Sequence, residues 1–185
     1  MSDIRVASRY AKSLIELADE KGVLEQVQQD MLLFSKVVSQ NRDFQLMLTN
    51  PVIKSDKKLK VINSIFTGKV HKLTLMFFNL VAQKSREAVL LSMTSEFERQ
   101  YNEVKGIQIA TVVSAVPFAP AQRDALIRQL TLETGKIIQL KESVDPSLIG
   151  GFVLRVGDKQ IDSSVKNSLR KLRIDFKDNS YINKL

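Results

Sequence analysis

From the first residues to about residue 105 the strong apolar positions recur three and four apart, the period of helices that each bury one face. Ile4, Ala7, Ala11, Leu14 and Ala18 draw the first stripe, with Ser2 or Asp3 placed to cap its start and Gly22 to stop it. Leu24, Val27, Met31, Phe34 and Val38 draw a second, several turns long. A short helical piece over residues 43–48 must stop before Pro51, because Asn50 precedes a proline and is pushed out of the helical region. Ser55 restarts the helix, with Leu59, Ile62, Ile65 and Phe66 facing inward, Lys54, Lys57, Lys58 and Lys60 mostly in water, and Gly68 closing the segment. Leu73, Met76, Phe77, Leu80 and Val81 mark a fifth helix. After Ser85, a candidate cap, Leu90, Met93, Phe97, Tyr101 and Val104 mark a sixth that Gly106 ends. Six helices with short connections predict an antiparallel bundle.

At Gly106 the period changes. Ile107, Ile109, Thr111 and Val113 alternate with Gln108, Ala110 and Val112 as in a strand. Pro120 suits the first turn of a helix through Leu126, Ile127 and Leu130 to Gly135, although Ala119 offers no capping oxygen, a loss of about 1 kcal/mol. Residues 137–140 read as a second strand. Asp145 and Pro146 make a turn, and Gly150 and Gly151 let the backbone bend or come close to a neighbour. Residues 152–156 form a strand, Gly157 and Asp158 reverse the chain, and residues 159–162 return as its partner. Ser163 or Ser164 then caps a helix carrying Val165, Leu169, Leu172 and Phe176 at helical spacing, and a polar tail from about Lys177 is expected to fray. The expected fold is mainly α with a smaller α+β part: an N-terminal six-helix bundle over residues 1–105, then a small C-terminal α+β domain over residues 106–185.

Composition narrows the chemistry. The chain has 185 residues, 44% apolar and 26% charged, and no apolar run approaches the roughly 20 residues that cross a bilayer. The start, MSDIRVASRY, has neither a secretory pattern nor an organellar one, so a bacterial cytoplasmic chain is expected. The absence of cysteine excludes disulfides, thiolate chemistry and cysteine zinc sites. A single histidine, His71, makes metal centres and histidine triads hard to assemble, and a solvated surface position is the expectation for it. No metal and no cofactor are expected. The net charge of +8 favours an acidic partner, which leaves nucleic acid, an anionic surface and another protein open.

Gly150 and Gly151 lack the Lys-Ser or Lys-Thr pair of a phosphate loop and lead into a strand, so backbone geometry accounts for them. Asp145, Asp158 and Asp162 hold ordinary turn and cap positions rather than a cation site. Lys54 to Lys60 and the cluster Lys166, Arg170, Lys171 and Arg173 suit either phosphates or an acidic protein helix. Most of the nine Phe and three Tyr fall on apolar helical stripes, which argues for packing over base stacking. Tyr10 stands beside Ala11 and Leu14 on the first helix, where small residues let another helix approach.

Three segments, in order, resemble the ATP synthase delta subunit family, relatives of the mitochondrial oligomycin-sensitivity-conferring protein. They are ASRYAKSLIELA with Ala7, Arg9, Tyr10, Ala11, Leu14 and Ala18, then SAVPFAPAQ at residues 114–122, then VDPSLIGGFVLRVGDKQIDSSV at residues 144–165. The resemblance covers nearly the whole chain. It implies a non-catalytic stator subunit of a proton- or sodium-translocating ATP synthase, one copy per complex, peripheral on the cytoplasmic face of a bacterial inner membrane. It further implies that the first and fifth helices form a groove for the N-terminal helix of an alpha subunit, here with Tyr10, Ala11, Leu14, Leu80 and Gln83. The C-terminal domain would hold the b-type peripheral stalk, with Lys166, Arg170, Lys171 and Arg173 as the expected contacts. The reading from another class is a basic nucleic-acid-binding adaptor.

Overall fold

A computed structural model describes residues 3–178, which fall into two compact units that divide between Val104 and Lys105. Among the described residues the chain is mostly helical with one four-stranded sheet.

In the first unit the helices are α1 (Asp3–Glu20), α2 (Leu24–Gln40), α3 (Arg42–Thr49), α4 (Ser55–Phe66), α5 (Lys72–Gln83) and α6 (Leu90–Val104), with a 3-10 turn at Glu87–Val89 before α6. The α2 stripe is buried throughout at Leu24, Val27, Met31, Phe34 and Val38. Phe34 stands at the centre of an aromatic cluster with Phe44, Phe66 and Phe78, whose ring centroids lie 4.9 to 6.4 Å apart. Such rings contribute dispersion and edge-to-face attraction beyond simple burial. Packing α1 against α6 needs small residues, and Ala7, Ala11 and Ala18 are buried on α1. α3 ends as expected at Asn50, whose backbone is extended (φ −71°, ψ 118°) ahead of the proline.

Several positions differ from the sequence expectation, each for a physical reason. Ile4, in the first turn of α1, is 65% exposed, while Ile15 takes a buried place instead. On α5 the core face is Leu73, Phe78, Val81 and Ala82, so Met76 and Leu80 point outward. Ser85 does not cap a following helix. It takes a left-handed conformation (φ 53°) and closes α5, its N–H donating to the Ala82 carbonyl while that of Arg86 reaches Val81, so the last carbonyls are satisfied. Lys58 is buried rather than solvated. Its Nζ donates to the Leu48 carbonyl at 2.8 Å, a cation at the negative end of α3.

His71, too, is half-buried rather than solvated. It is the N-cap of α5, its Nδ1 accepting from the Leu73 N–H at 3.2 Å, while its own backbone N–H donates to Asp30 Oδ2 at 2.7 Å. The same carboxylate oxygen accepts from Thr74 Oγ1 at 2.6 Å. Asp30 is buried on α2 and thereby supplies the negative charge that the first turn of α5 lacks. The Ser2 capping alternative for α1 lies outside the described residues.

In the second unit β1 (Ile107–Ser114), α7 (Pro120–Thr134) and β2 (Ile137–Val144) form a parallel βαβ unit, followed by β3 (Phe152–Val156), β4 (Lys159–Asp162) and α8 (Val165–Asp178). The sheet order is β2-β1-β3-β4, with β3 antiparallel to both β1 and β4. β2 runs past the expected 137–140 because the ladder to β1 continues to Val144. Leu130 of α7 packs on Ala110, Val112, Ile138 and Leu154, the small core of this unit. Without a capping oxygen at Ala119, Gln122 keeps half of the usual arrangement by accepting from the Ala119 N–H at 3.1 Å. Arg123 makes a bidentate pair with Glu142, linking α7 to β2 and holding that carboxyl below the usual range.

A 3-10 turn at Pro146–Leu148, capped by Asp145, leads into Gly150 and Gly151. Gly151 has φ 74°, and a Cβ there would run into the Ser163 backbone carbonyl, while one on Gly150 would press on Val165. The chain thus crosses the entry to α8 at a distance only glycine permits. Of the two candidate serines, Ser164 makes the cap, its Oγ accepting from the Asn167 N–H at 3.1 Å. Asp162 orders that serine, accepting from its N–H at 3.0 Å and its hydroxyl at 2.7 Å. α8 continues through Lys177, and the tail beyond Asp178 lies outside the described residues.

Asp30→Ala leaves the buried Thr74 hydroxyl and the half-buried His71 N–H unmatched and is expected to cost about 2–3 kcal/mol in urea unfolding; a change under about 0.5 kcal/mol would contradict the role of this carboxylate. The hydrogen bonds from Ser164 lower the Asp162 pKa. Its stabilising contribution is therefore present above the unfolded-state carboxylate value of about 3.9 and is lost as pH falls through the lower folded value. A carboxyl NMR titration should find Asp162 titrating below a Ser164→Ala variant; coincident curves would contradict the cap geometry.

Candidate partner-binding surfaces

α1 and α5 each carry a second apolar strip besides the one in the core, and between these strips lies an open groove of about 520 Å³. Tyr10, Leu14 and Leu17 of α1 and Leu73, Met76, Phe77 and Leu80 of α5 supply its apolar lining, with Arg9, Ser13 and Lys21 as the polar members. The Tyr10 and Phe77 rings meet edge to face at 6.3 Å. Arg86, just beyond α5, donates from Nη1 to the Tyr10 hydroxyl at 3.1 Å. Met76 and Leu80 are 58% and 47% exposed, a considerable apolar surface left in water on one helix.

Of the five residues expected here, Tyr10, Leu14 and Leu80 line the groove. Leu14 forms part of its floor and is only 3% exposed, so it belongs equally to the core. Ala11 is buried and not part of the lining, and Gln83 is exposed at the end of α5, beyond it. Leu17, Leu73, Met76 and Phe77 were missed as apolar groove residues. On α5, Met76, Phe77 and Leu80 stand apart from Phe78, Val81 and Ala82 while Leu73 serves both faces, and because all are apolar the spacing alone does not separate them.

In the second unit, α8 carries an apolar strip that no other described residue buries. Val165, Leu169, Leu172 and Phe176 repeat on one side of the helix, and all four are exposed. The spacing expected from the sequence is there, but it faces water rather than a core. Lys166, Arg170, Lys171 and Arg173 are exposed on the same helix. Helical spacing puts Lys166 and Arg173 along one edge of the strip and Lys171 on the opposite side. Arg170 is engaged with its own helix, donating to Asn167 Oδ1 at 2.9 Å. Gly157 reverses the chain between β3 and β4 with φ 57°, Asp158 following it in the turn.

Among the described residues no group of three or more metal-binding side chains comes together, and no helix is long and apolar enough to cross a membrane. The aromatic cluster of Phe34, Phe44, Phe66 and Phe78 is in the core. Both surfaces have the form that receives helices: an apolar strip with a few polar groups at its edges.

The sequence profile of the ATP synthase delta (OSCP) subunit family matches residues 6–176. The protein named ATP synthase subunit delta in Cytophaga hutchinsonii is 40% identical over 176 residues, 95% of this chain and 96% of the relative. The protein of that name in Christiangramia forsetii is 36% identical over 185 residues, the full length of both. A chain of the Toxoplasma gondii mitochondrial ATP synthase hexamer shares the fold, with a TM-score of 0.71 at 22% identity over 92% of this chain and 96% of that one. With a family match along nearly its whole length and full-length relatives above 30% identity, the chain belongs to the ATP synthase delta (OSCP) subunit family.

Proposed function

We propose that this protein is a non-catalytic stator subunit, a clamp between the catalytic head of an ATP synthase and its peripheral stalk. The six helices of the first unit act as a bundle that grips the N-terminal helix of an alpha subunit in the α1–α5 groove. The second unit holds the end of a b-type stalk along α8. It works in one copy per complex, peripheral to a bacterial inner membrane on the cytoplasmic side, in a synthase driven by protons or sodium ions. The observation that carries the reading is the open apolar groove between α1 and α5 in a chain that belongs to this family.

The task is mechanical. A rotor turning within the head drags the head with it, and unless the head is held, the torque turns it and no ATP is made. Tight contacts and stiffness are what matter, and a holding affinity near 1 nM corresponds to about −12 kcal/mol. Apolar anchors provide such strength, while exposed charges set orientation and encounter rate. On α8 the strip of Leu169, Leu172 and Phe176 is the better candidate for the anchor, with Lys166 and Arg173 as its polar edge. The reading as a nucleic-acid adaptor is not favoured, since the chain belongs to the ATP synthase delta (OSCP) subunit family and most of the Phe rings are engaged in packing.

Leu80→Asp should weaken binding of the cognate alpha N-terminal peptide at least about tenfold, from the roughly 1.5–3 kcal/mol that a buried leucine contributes, with an unchanged melting temperature. Calorimetry finding the native affinity would reject the groove. Leu14 is unsuited to this test because its side chain is in the core. Leu172→Asp should weaken binding of a purified stalk fragment by a similar factor and leave the alpha peptide unaffected. Loss of both activities in that folded variant would contradict the division of labour between the two units.

A further inference from the structure

We infer that the groove selects a helix whose apolar strip is bracketed by carboxylates, one meeting Arg9 and Arg86 and the other meeting Lys21; this rests on the helix-in-groove reading proposed above. The groove lining contains two cationic side chains and no carboxylate. Arg9 and Lys21 are both exposed, and neither has an ion pair among the described residues. On α1, Glu16 faces Lys12 at 3.9 Å and neither Asp19 nor Glu20 belongs to the lining, while Glu96, which shares a neighbouring hollow with Arg9, is paired with Arg99. Arg86 stands at the Tyr10 end, its guanidinium carbon 5.6 Å from the ring centre. It spends one donor on the Tyr10 hydroxyl, and a guanidinium has five.

The geometry sets the spacing of the guest. Arg9 and Lys21 are twelve positions apart, about 18 Å at 1.5 Å per residue. A guest helix in the groove would present its acids about three turns apart, with apolar side chains between them facing Leu17, Met76 and Phe77. A guest with lysines at those places would set like charges against both ends of the groove, so the cations exclude as well as attract. Because the pairs are exposed, their effect on affinity is modest and screened by salt, and orientation and encounter rate gain more from them.

The test is calorimetry with the full chain and a synthetic peptide of the alpha N-terminal segment from the same synthase, alongside a peptide with its acidic residues changed to amides. Arg9→Glu and Lys21→Glu should each weaken the native peptide about fivefold at low ionic strength, and the difference should close at about 1 M salt, where the screening length is about 3 Å. The amide peptide should bind the native chain more weakly and lose its sensitivity to both substitutions. Unchanged affinity for the charge-reversed variants, while Leu80→Asp still weakens binding, overturns the charge selection and leaves the groove standing. Failure of the native chain to bind either peptide overturns the groove reading and this inference with it.

Discussion

The structure of the first unit depends on keeping two helices apart. An apolar groove between α1 and α5 tends to collapse on itself, since closing it would remove Met76, Phe77 and Leu80 from water. α5 is held from three directions. Its inner face is fixed by Phe78 against Phe34 and Phe66, with ring centroids 4.9 and 5.8 Å away. Its first turn is held by Asp30, which accepts from the His71 N–H and the Thr74 hydroxyl. Beyond its last turn, Arg86 reaches across to the Tyr10 hydroxyl on α1. α1 in turn packs on α6 through buried alanines that leave little room to rotate. With these walls in place a guest helix would meet a preformed site, and binding would carry little cost of rearrangement.

Much of this was legible in the sequence. The stripes of α2 and α4, the stop before Pro51, the strand after Gly106, the hairpin around Gly157 and the capping serine before α8 follow from periodicity and turn chemistry. What was not legible is where periodicity is ambiguous. α5 is apolar on more than one side, so its spacing did not separate the face of Phe78 and Val81 from that of Met76 and Leu80. α8 carries a faultless stripe, yet spacing alone cannot say whether a stripe meets its own core or a partner, and here it faces water. Lys58, His71 and Asp30 were misread or passed over for a related reason. Lys58 and Asp30 each satisfy the end of another helix, α3 for Lys58 and α5 for Asp30, while His71 caps its own helix through a ring nitrogen, and a local reading treats all three as solvated.

The two units use one chemistry in two forms. In the first, two helices of the chain provide a concave apolar surface with cations at its ends. In the second, a single helix provides a convex apolar strip with cations along its edge. Gly150 and Gly151 bring the chain tightly across the start of α8, and Asp162 and Ser164 fix its first turn, so the helix is anchored at its root while its strip is free to be covered. On the proposed clamp reading, load applied to α8 would pass into this close backbone crossing.

The most direct test of a preformed groove is amide chemical-shift mapping of the labelled chain as the alpha N-terminal peptide is added. The account predicts shifts concentrated at Tyr10, Ser13, Met76, Phe77 and Leu80, with those of α2 and α8 unmoved. Shifts spread through the core of the first unit, or confined to α8, would contradict it.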